Sequence, residues 1–131
     1  SSIVFSIPAV KGIEFGRGFA FSDMYGFDAN DFFETDGNQI YTTSNNNGGI
    51  NGGISNGMPI IFQCAVKPTP SISQAQKTID FCKNENADIQ IQGRHDPAII
   101  RRICPVIDSL TAFVICDLIS TRFGTDFLAK K

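Results

Sequence analysis

The stretch that decides the fold class is residues 97–122, PAIIRRICPVIDSLTAFVICDLISTR. Its apolar residues recur every three or four positions, which is the spacing of a helix with one buried face. Because proline disrupts a helix interior, Pro105 predicts a short helix over 97–103 and a longer one over about 105–122 that begins on the proline. Gly124 predicts the C-terminal end of the longer helix.

Upstream of this stretch the apolar residues follow a period of two, as in strands. In residues 10–21, VKGIEFGRGFAF, the alternation is interrupted by glycines, which predicts a strand with a bulge or with a close backbone neighbour. Asp36-Gly37 lies between the strand-like DFFE and NQIYTTS and predicts a hairpin. Further strand-like segments are 58–66, 77–81 and 87–92. The prediction is an α+β fold in which antiparallel strands pack on one long C-terminal helix.

Composition limits the partners of the chain. Its 131 residues suffice for one domain, and the net charge is −2 with no run of basic residues. We therefore expect no nucleic acid partner and no binding to an anionic membrane surface. No apolar stretch approaches the ~20 residues of a membrane span, so no membrane segment is expected either.

The four cysteines form no CxxC pair, and the chain has a single histidine. A structural metal site is therefore not expected. Free, buried cysteines in a reducing cytoplasm are the preferred interpretation. The first residues, SSIVFSIPAV, resemble the end of an apolar helix that stops near Pro8. Together with twelve phenylalanines and long glycine-rich stretches, they predict the C-terminal part of a larger protein.

Residues 45–57, NNNGGINGGISNG, are the low-complexity segment of the chain. The segment is not a P-loop, because Ile54 and Ser55 stand where lysine and Ser/Thr are required, and it lacks the dinucleotide-binding spacing of glycines. Repeated glycines expose backbone N–H groups and permit positive φ angles, which suits an anion or a flat ligand. A flexible surface loop is the alternative.

Two short segments carry further candidate binding groups. In residues 67–72, KPTPSI, the prolines stiffen the backbone and present Lys67, Thr69 and Ser71, either as a binding edge or as a solvated strand exit. In residues 93–97, GRHDP, Asp96 before a proline has the pattern of a helix N-cap. Arg94 suits either an anion or a surface ion pair, and His95 has no evident catalytic partner.

Four motifs in this order closely resemble the C-terminal part of the chorismate synthases: SIPAVKGIEFGRGF, NNNGGINGGISNGMPI, KPTPSI, and GRHDP followed by PVIDS. The resemblance implies a lyase of the shikimate pathway of aromatic amino acid biosynthesis. Such an enzyme removes phosphate and a ring proton from 5-enolpyruvylshikimate 3-phosphate to form chorismate, with reduced FMN that is not consumed. The implied fold is a β-α-β sandwich and the implied assembly a cytoplasmic homotetramer.

The resemblance also implies residue roles. Asp96 resembles the acid placed near flavin N5, so it would handle the proton. The residues that would contact FMN are Pro8, Ala9, Gly52, Lys67, Pro68, Thr69, Pro70, Ser71 and Arg94. His95 would be positional.

The chain departs from the family pattern in places. Ser44-Asn45-Asn46-Asn47 stands where the family usually has Thr-Asn-Asn-Ala, and Asp108 replaces a glutamate. The family's catalytic histidines and arginine-rich substrate pocket belong to an N-terminal part that the 131 residues lack. We therefore predict that the chain alone is inactive. The alternative hypothesis is a self-contained module that binds flavin or an anion without catalysis.

Overall fold

The computed structural model describes residues 1–94 and 98–127. The chain divides into two compact units, Ser1–Val66 and Lys67–Lys131, each of which has its own secondary structure. Both units contain antiparallel strands and at least one helix, so the predicted mixture of strand and helix is present.

The first unit contains two short α-helices, a 3₁₀ helix at Gly18–Asp23 and six strands. In chain order, the α-helices and strands are α1 (Ser2–Phe5), β1 (Val10–Phe15), α2 (Gly26–Ala29), β2 (Phe33–Thr35), β3 (Ile40–Thr42), β4 (Ile50–Asn51), β5 (Ile54–Ser55) and β6 (Phe62–Val66). The strands pair in twos and antiparallel: β1 with β6, β2 with β3, and β4 with β5. Strand β1 thus pairs with the last strand of the unit, which brings the two ends of the unit together.

The predicted strand with a bulge is confirmed over β1. Its register on β6 shifts between Val10 and Gly12, and the rings of Phe15 and its partner Phe62 lie 5.7 Å apart between centroids. The predicted continuation of the strand to residue 21 is wrong. The backbone takes positive φ angles at Gly16 and Gly18, +56° and +52°, and these turn the chain from the strand into the 3₁₀ helix.

The predicted hairpin at Asp36-Gly37 is confirmed as β2–β3. The Asp36 carboxylate accepts the backbone N–H groups of Gln39 and Asn38, both at 2.8 Å. These two bonds lower the pKa of Asp36 below its ordinary value. Gly37 supplies the positive φ that the turn requires, +89°.

The low-complexity segment is ordered at its N-terminal end. Asn46, Gly48 and Gly49 are buried, and a Cβ on Gly48 would lie 2.5 Å from both the amide nitrogen of Gly16 and the carbonyl oxygen of Ile61. The glycines here allow backbone segments to approach closely, which favours a packed segment over the flexible loop.

The second unit contains a hairpin of β7 (Gln76–Asp80) and β8 (Glu85–Ile89), the long helix α3 (Ile100–Phe123) and a 3₁₀ turn at Thr125–Phe127. The two predicted strands are confirmed, with β8 beginning and ending earlier than the apolar pattern indicated. The rings of Phe123 and Phe127 stack at 4.8 Å between centroids, so the end of α3 packs on the turn that follows it.

The predicted interruption at Pro105 is wrong, because α3 is continuous through this residue. Pro105 is the sixth residue of the helix and removes only the hydrogen bond to the carbonyl of Arg101, an exposed residue that water can reach. The predicted stop is confirmed: Gly124 follows the helix with φ +81°, and its N–H donates to Ser120 O at 2.9 Å.

The expectation that no segment is long enough and apolar enough to cross a membrane is wrong, because one helix meets both criteria. Helix α3 has 24 residues and a mean hydropathy of 1.8 over its most apolar window, and it is the one such helix in residues 1–94 and 98–127. The core helix of a soluble protein meets the same criteria, so this is weak evidence for a membrane. Little of that window is buried.

The four cysteines are free, as predicted, but the prediction that they are buried is wrong. Cys64 on β6 is partly buried, and this burial raises the pKa of its thiol. Cys82, Cys104 and Cys116 are exposed. Cys82 lies in the turn of the β7–β8 hairpin, and the other two lie on α3, whose apolar residues are largely exposed.

Two glycine substitutions separate close packing from backbone strain. Gly48 and Gly57 both have positive φ, +63° and +91°, but a Cβ on Gly57 would meet nothing within 4 Å. We expect Gly57→Ala to cost about 1–2 kcal/mol of unfolding free energy through strain alone. Gly48→Ala should cost at least ~2 kcal/mol more, because neighbouring backbone must shift. Urea unfolding measures both, and equal losses would contradict the packing of the segment.

Candidate functional site

The best-defined polar cluster of the first unit is built on Asp31, which is buried just before β2. Its Oδ1 accepts the Ser44 hydroxyl at 2.6 Å and the Asn46 N–H at 2.7 Å. Its Oδ2 accepts the N–H and the side-chain amide of Asn47 at 2.9 and 2.8 Å. One carboxylate therefore fixes the segment from Ser44 to Asn47. We call Asp31 together with Ser44, Asn46 and Asn47 the Asp31 cluster.

The ionisation of Asp31 follows from these bonds. Burial by itself raises the pKa of the carboxyl, but the hydrogen bonds from Ser44, Asn47 and Asn46 together outweigh it and lower the pKa from 3.8 to about 2. The group is thus an anion at neutral pH, with four donors satisfying it. A carboxylate with so low a pKa has no proton to donate near neutral pH and is a weak base, which favours a structural role over an acid–base role.

Asn46 connects the Asp31 cluster to the end of β1. Its carbonyl accepts the backbone N–H of Arg17 at 2.7 Å, and its side-chain oxygen accepts Nε of the same arginine at 3.1 Å. Its side-chain amide donates to the carbonyl of Asp28 at 3.3 Å. Asn46 is buried, so every polar group that it carries is matched with a partner from another segment.

Gly52, a predicted flavin contact, lies in the turn of the β4–β5 hairpin. Gly52 and Gly53 both have positive φ, +56° and +80°, as the two central residues of a tight hairpin turn require. A Cβ at Gly52 would meet nothing within 4 Å, so the turn is open around it. Hydrogen bonds from Asn56 stabilise the base of the hairpin. Its backbone N–H donates to Gly49 O at 3.0 Å, and its side-chain amide donates to Asn51 Oδ1 at 2.7 Å.

Pro8 and Ala9, also predicted to contact flavin, form the turn between α1 and β1. Ala9 has φ +71° and is one of two non-glycine residues with positive φ among residues 1–94 and 98–127. This conformation costs an alanine about 1–2 kcal/mol. Pro8 is exposed and Ala9 half-buried. Such strain is common where a backbone is held for binding, so Ala9 is a site candidate from geometry as well as from the motif.

The predicted edge of residues 67–71 belongs to the second unit and has no regular secondary structure. Lys67, Pro68 and Pro70 are exposed, whereas Thr69 and Ser71 are half-buried. The amide of Gln76 donates to Pro70 O at 3.0 Å, which ties this edge to β7. The sequence left open whether this segment is a binding edge or a solvated strand exit, and its attachment to β7 is compatible with both.

Two buried side-chain oxygens among the described residues have no partner, and one of them, on Thr69, lies in the predicted flavin-lining segment 67–71. Oγ1 of Thr69 and Oδ1 of Asn45 are buried and make no hydrogen bond within the part of the chain that the structure describes. Asn45 directly precedes the Asp31-bound Asn46, and its amide donates to Pro59 O at 2.9 Å. Buried polar atoms without partners are uncommon in folded proteins and indicate a missing ligand or water.

Of the GRHDP segment, Gly93 and Arg94 are among the described residues. Arg94 is exposed, at the end of the loop that follows β8. Asp96, the predicted acid, lies outside the described residues, as does His95. The described residues contain no group of three or more His, Cys, Asp or Glu side chains that could hold a metal ion. Pro8, Ala9 and Gly52 are in the first unit, and the predicted residues from Lys67 onward are in the second.

The sequence interpretation missed Asp31 and the strain at Ala9. A partial signal for Asp31 existed, because Asp31 directly precedes two phenylalanines, Phe32 and Phe33, and the donor-rich stretch SNNN follows at residues 44–47. No pattern in the sequence predicts a positive φ at an alanine. That angle is visible only once the strand, the turn and their neighbours are in place.

The low pKa of Asp31 gives a pH-dependent contribution to stability. Because the carboxyl titrates at about 2 when folded and 3.8 ordinarily, it contributes stability above about pH 4, on the order of 2 kcal/mol, which is lost as the pH falls towards 2. Asp31→Asn should therefore lower the unfolding free energy at neutral pH and change it much less near pH 2. Urea unfolding across this range measures it. The matched control is Asp28→Asn, an exposed residue of α2, and a pH-independent loss in Asp31→Asn would contradict the expectation.

Comparisons with known proteins agree with the motifs. A family model described as chorismate synthase matches residues 1–120. The chain is 49% identical over 117 residues to the chorismate synthase of Methanococcus maripaludis, covering 89% of this chain and 31% of that protein. It is 50% identical over 115 residues to that of Dehalococcoides mccartyi, covering 88% and 32%.

A solved chorismate synthase crystal structure is 42% identical over its match, with a TM-score of 0.49, covering 52% of this chain and 20% of that one. The two curated relatives named above are matched over about a third of their own length. The family match covers nearly all of the chain, and the chain belongs to the chorismate synthase family.

Proposed function

We propose that this chain forms part of an enzyme that converts 5-enolpyruvylshikimate 3-phosphate to chorismate and phosphate. In this reaction the C–O bond to phosphate breaks, a ring proton leaves and a ring double bond forms, with no net oxidation. The family match over residues 1–120 carries the proposal. Because the chain covers about a third of its relatives, we propose that it is inactive without the remaining parts.

The residues present fit a reduced FMN. Thr69 Oγ1 is buried without a partner in the middle of the predicted lining segment, so it can bond the polar edge of a flat heterocycle. The turn at Gly52 is open and exposes backbone to an approaching ring. Lys67 is exposed on the rigid proline segment and suits a phosphate group.

The residues that would hold the cofactor are those predicted from the motifs: Pro8, Ala9, Gly52, Lys67, Pro68, Thr69, Pro70, Ser71 and Arg94. When bound, reduced FMN supplies transient electron density for the loss of phosphate. The strained turn at Ala9 in the first unit and the proline segment in the second would each contact the flavin, and Arg94 would bind flavin or substrate through its planar guanidinium.

Asp96 is the proposed proton-handling residue. Its carboxylate would take and return a proton at the reacting centre, as general acid–base work requires. Asp31 does not suit this role, since its oxygens already accept four hydrogen bonds and its low pKa makes it a weak base. The two aspartates thus divide into a structural anion and a proton carrier.

The exposed apolar surface supports a larger assembly. Phe113 and Leu118 on α3 are 64% and 62% exposed, and Phe81 in the β7–β8 turn is 87% exposed. A helix with apolar residues exposed on several sides is usually covered in the complete protein. We propose that the rest of the enzyme and its neighbouring subunits cover these residues, in a cytoplasmic homotetramer with the β-α-β sandwich fold.

A chimera tests the function. The segment of the Methanococcus maripaludis enzyme that matches this chain over 117 residues is replaced by this sequence, and chorismate formation is assayed with reduced FMN. We expect the chimera to be active and the chain alone to be inactive. FMN binding by the chain alone, with no turnover by the chimera, would instead support the alternative of a self-contained binding module. Turnover by the chain alone would contradict the proposed dependence on the missing parts.

The role of Asp96 is tested in the same chimera. Asp96→Asn keeps the size of the side chain and removes its titrating group, so we expect kcat to fall on the order of 100-fold or more, with little change in FMN affinity. Asp88→Asn on β8, an exposed residue, is the matched control and should leave kcat unchanged. Full activity in Asp96→Asn would exclude Asp96 as the proton carrier.

A further inference from the structure

The β4–β5 hairpin has a base that is held from two sides. On one side, Ser44, Asn46 and Asn47 donate to the Asp31 carboxylate. On the other, the backbone of Gly48 is bonded to the residue before β6, with Ile61 N–H donating to Gly48 O at 3.1 Å. The base is also closely packed, because a Cβ on Gly48 or Gly49 would lie 2.5 or 2.6 Å from neighbouring backbone atoms.

The hairpin itself makes few contacts of its own. It contains two ladder pairs, Ile50 with Ser55 and Asn51 with Ile54, and residues 52–55 are exposed. A two-stranded hairpin of this length is not stable alone in water. Its direction is therefore set by its base, where Asn56 N–H bonds Gly49 O and the Asp31-bound segment enters.

We propose that Asp31 is a positioning residue for ligand binding: through Ser44, Asn46 and Asn47 it orients the β4–β5 hairpin so that the Gly52–Gly53 turn can receive a flat, phosphate-bearing ligand. This inference rests on the proposed function for the identity of the ligand, FMN. Asp31 itself is buried beneath the segment and need not contact the ligand.

The chemistry of the cluster explains why a carboxylate is required. Its four donors include two backbone N–H groups, those of Asn46 and Asn47, so only an acceptor with two oxygens can satisfy both ends of the segment at once. Asp31→Asn keeps one oxygen and presents an amide to the two donors of Asn47. The segment near Asn47 is then repelled, and the hairpin base opens at that end.

The first arm of the test follows hydrogen exchange in the chain itself. In Asp31→Asn, amide exchange at residues 46–56 should be at least about tenfold faster under native conditions, with β2–β3 unchanged. Asn47→Ala, which removes one side-chain bond and keeps the backbone bond, should give an intermediate increase. Val4→Ala, a buried residue of α1, lowers stability elsewhere and should not speed exchange at residues 46–56 selectively.

The second arm measures FMN affinity in the chimera by fluorescence titration, well below the unfolding temperature of each variant. Asp31→Asn should raise the Kd for FMN about tenfold or more, whereas Asp28→Asn and Val4→Ala should leave it unchanged. If Asp31 acted only through overall stability, Val4→Ala would raise the Kd for FMN as much as Asp31→Asn when the two variants are compared at equal unfolding free energy.

The outcomes are distinguishable. Faster exchange with an unchanged Kd would overturn the inference, because the hairpin would then be loosened without consequence for binding. Unchanged exchange would also overturn it, since Asp31 would not hold the hairpin. Failure of the unsubstituted chimera to bind FMN would instead contradict the proposed function, and the exchange arm alone would then decide whether Asp31 orients the hairpin.

Discussion

The Asp31 carboxylate is the interaction on which the first unit depends. Its four hydrogen bonds reach three residues of one segment, and that segment carries Asn46, which in turn bonds Arg17 at the end of β1. A buried ion is stabilising only where its partners are complete, and here the donors outweigh the cost of desolvation. The glycine-rich stretch is therefore a packed structural element at its base and an open turn at its tip.

Two of the expected departures from the family pattern, at Ser44 and Asn47, fall on this interaction, whereas Asp108 lies on α3. Ser44 and Asn47 replace the threonine and alanine that are usual in the family, and both side chains donate to Asp31. Serine retains the hydroxyl that a threonine would offer, whereas Asn47 adds a hydrogen bond that alanine cannot make. Both side chains therefore hold the segment on Asp31, and Asn47 does so through its backbone N–H as well.

Much of the local structure could be predicted from the sequence, because it depends on neighbouring residues. The Asp36-Gly37 turn, the β7–β8 hairpin and the stop at Gly124 follow from turn chemistry and periodicity. The errors arose where the surrounding structure, and not the local sequence, determines the conformation. Helix α3 continues through Pro105, and β1 ends before Gly16 although the apolar alternation continues beyond it. Asp31 was missed because its partners lie 13 to 16 residues away. The site residues came from motifs, and only their local geometry, such as the strain at Ala9, came from the structure.

The most direct test of the account is the titration of Asp31 itself, followed through the ¹³C shift of its carboxyl carbon by NMR. The account predicts a midpoint at about 2, well below the ordinary 3.8, because the four donors stabilise the anion. The hydroxyl and amide protons of Ser44 and Asn47 should respond at the same midpoint. A midpoint at or above 3.8 would show that the carboxylate does not hold the segment, and the central interaction of the first unit would be absent.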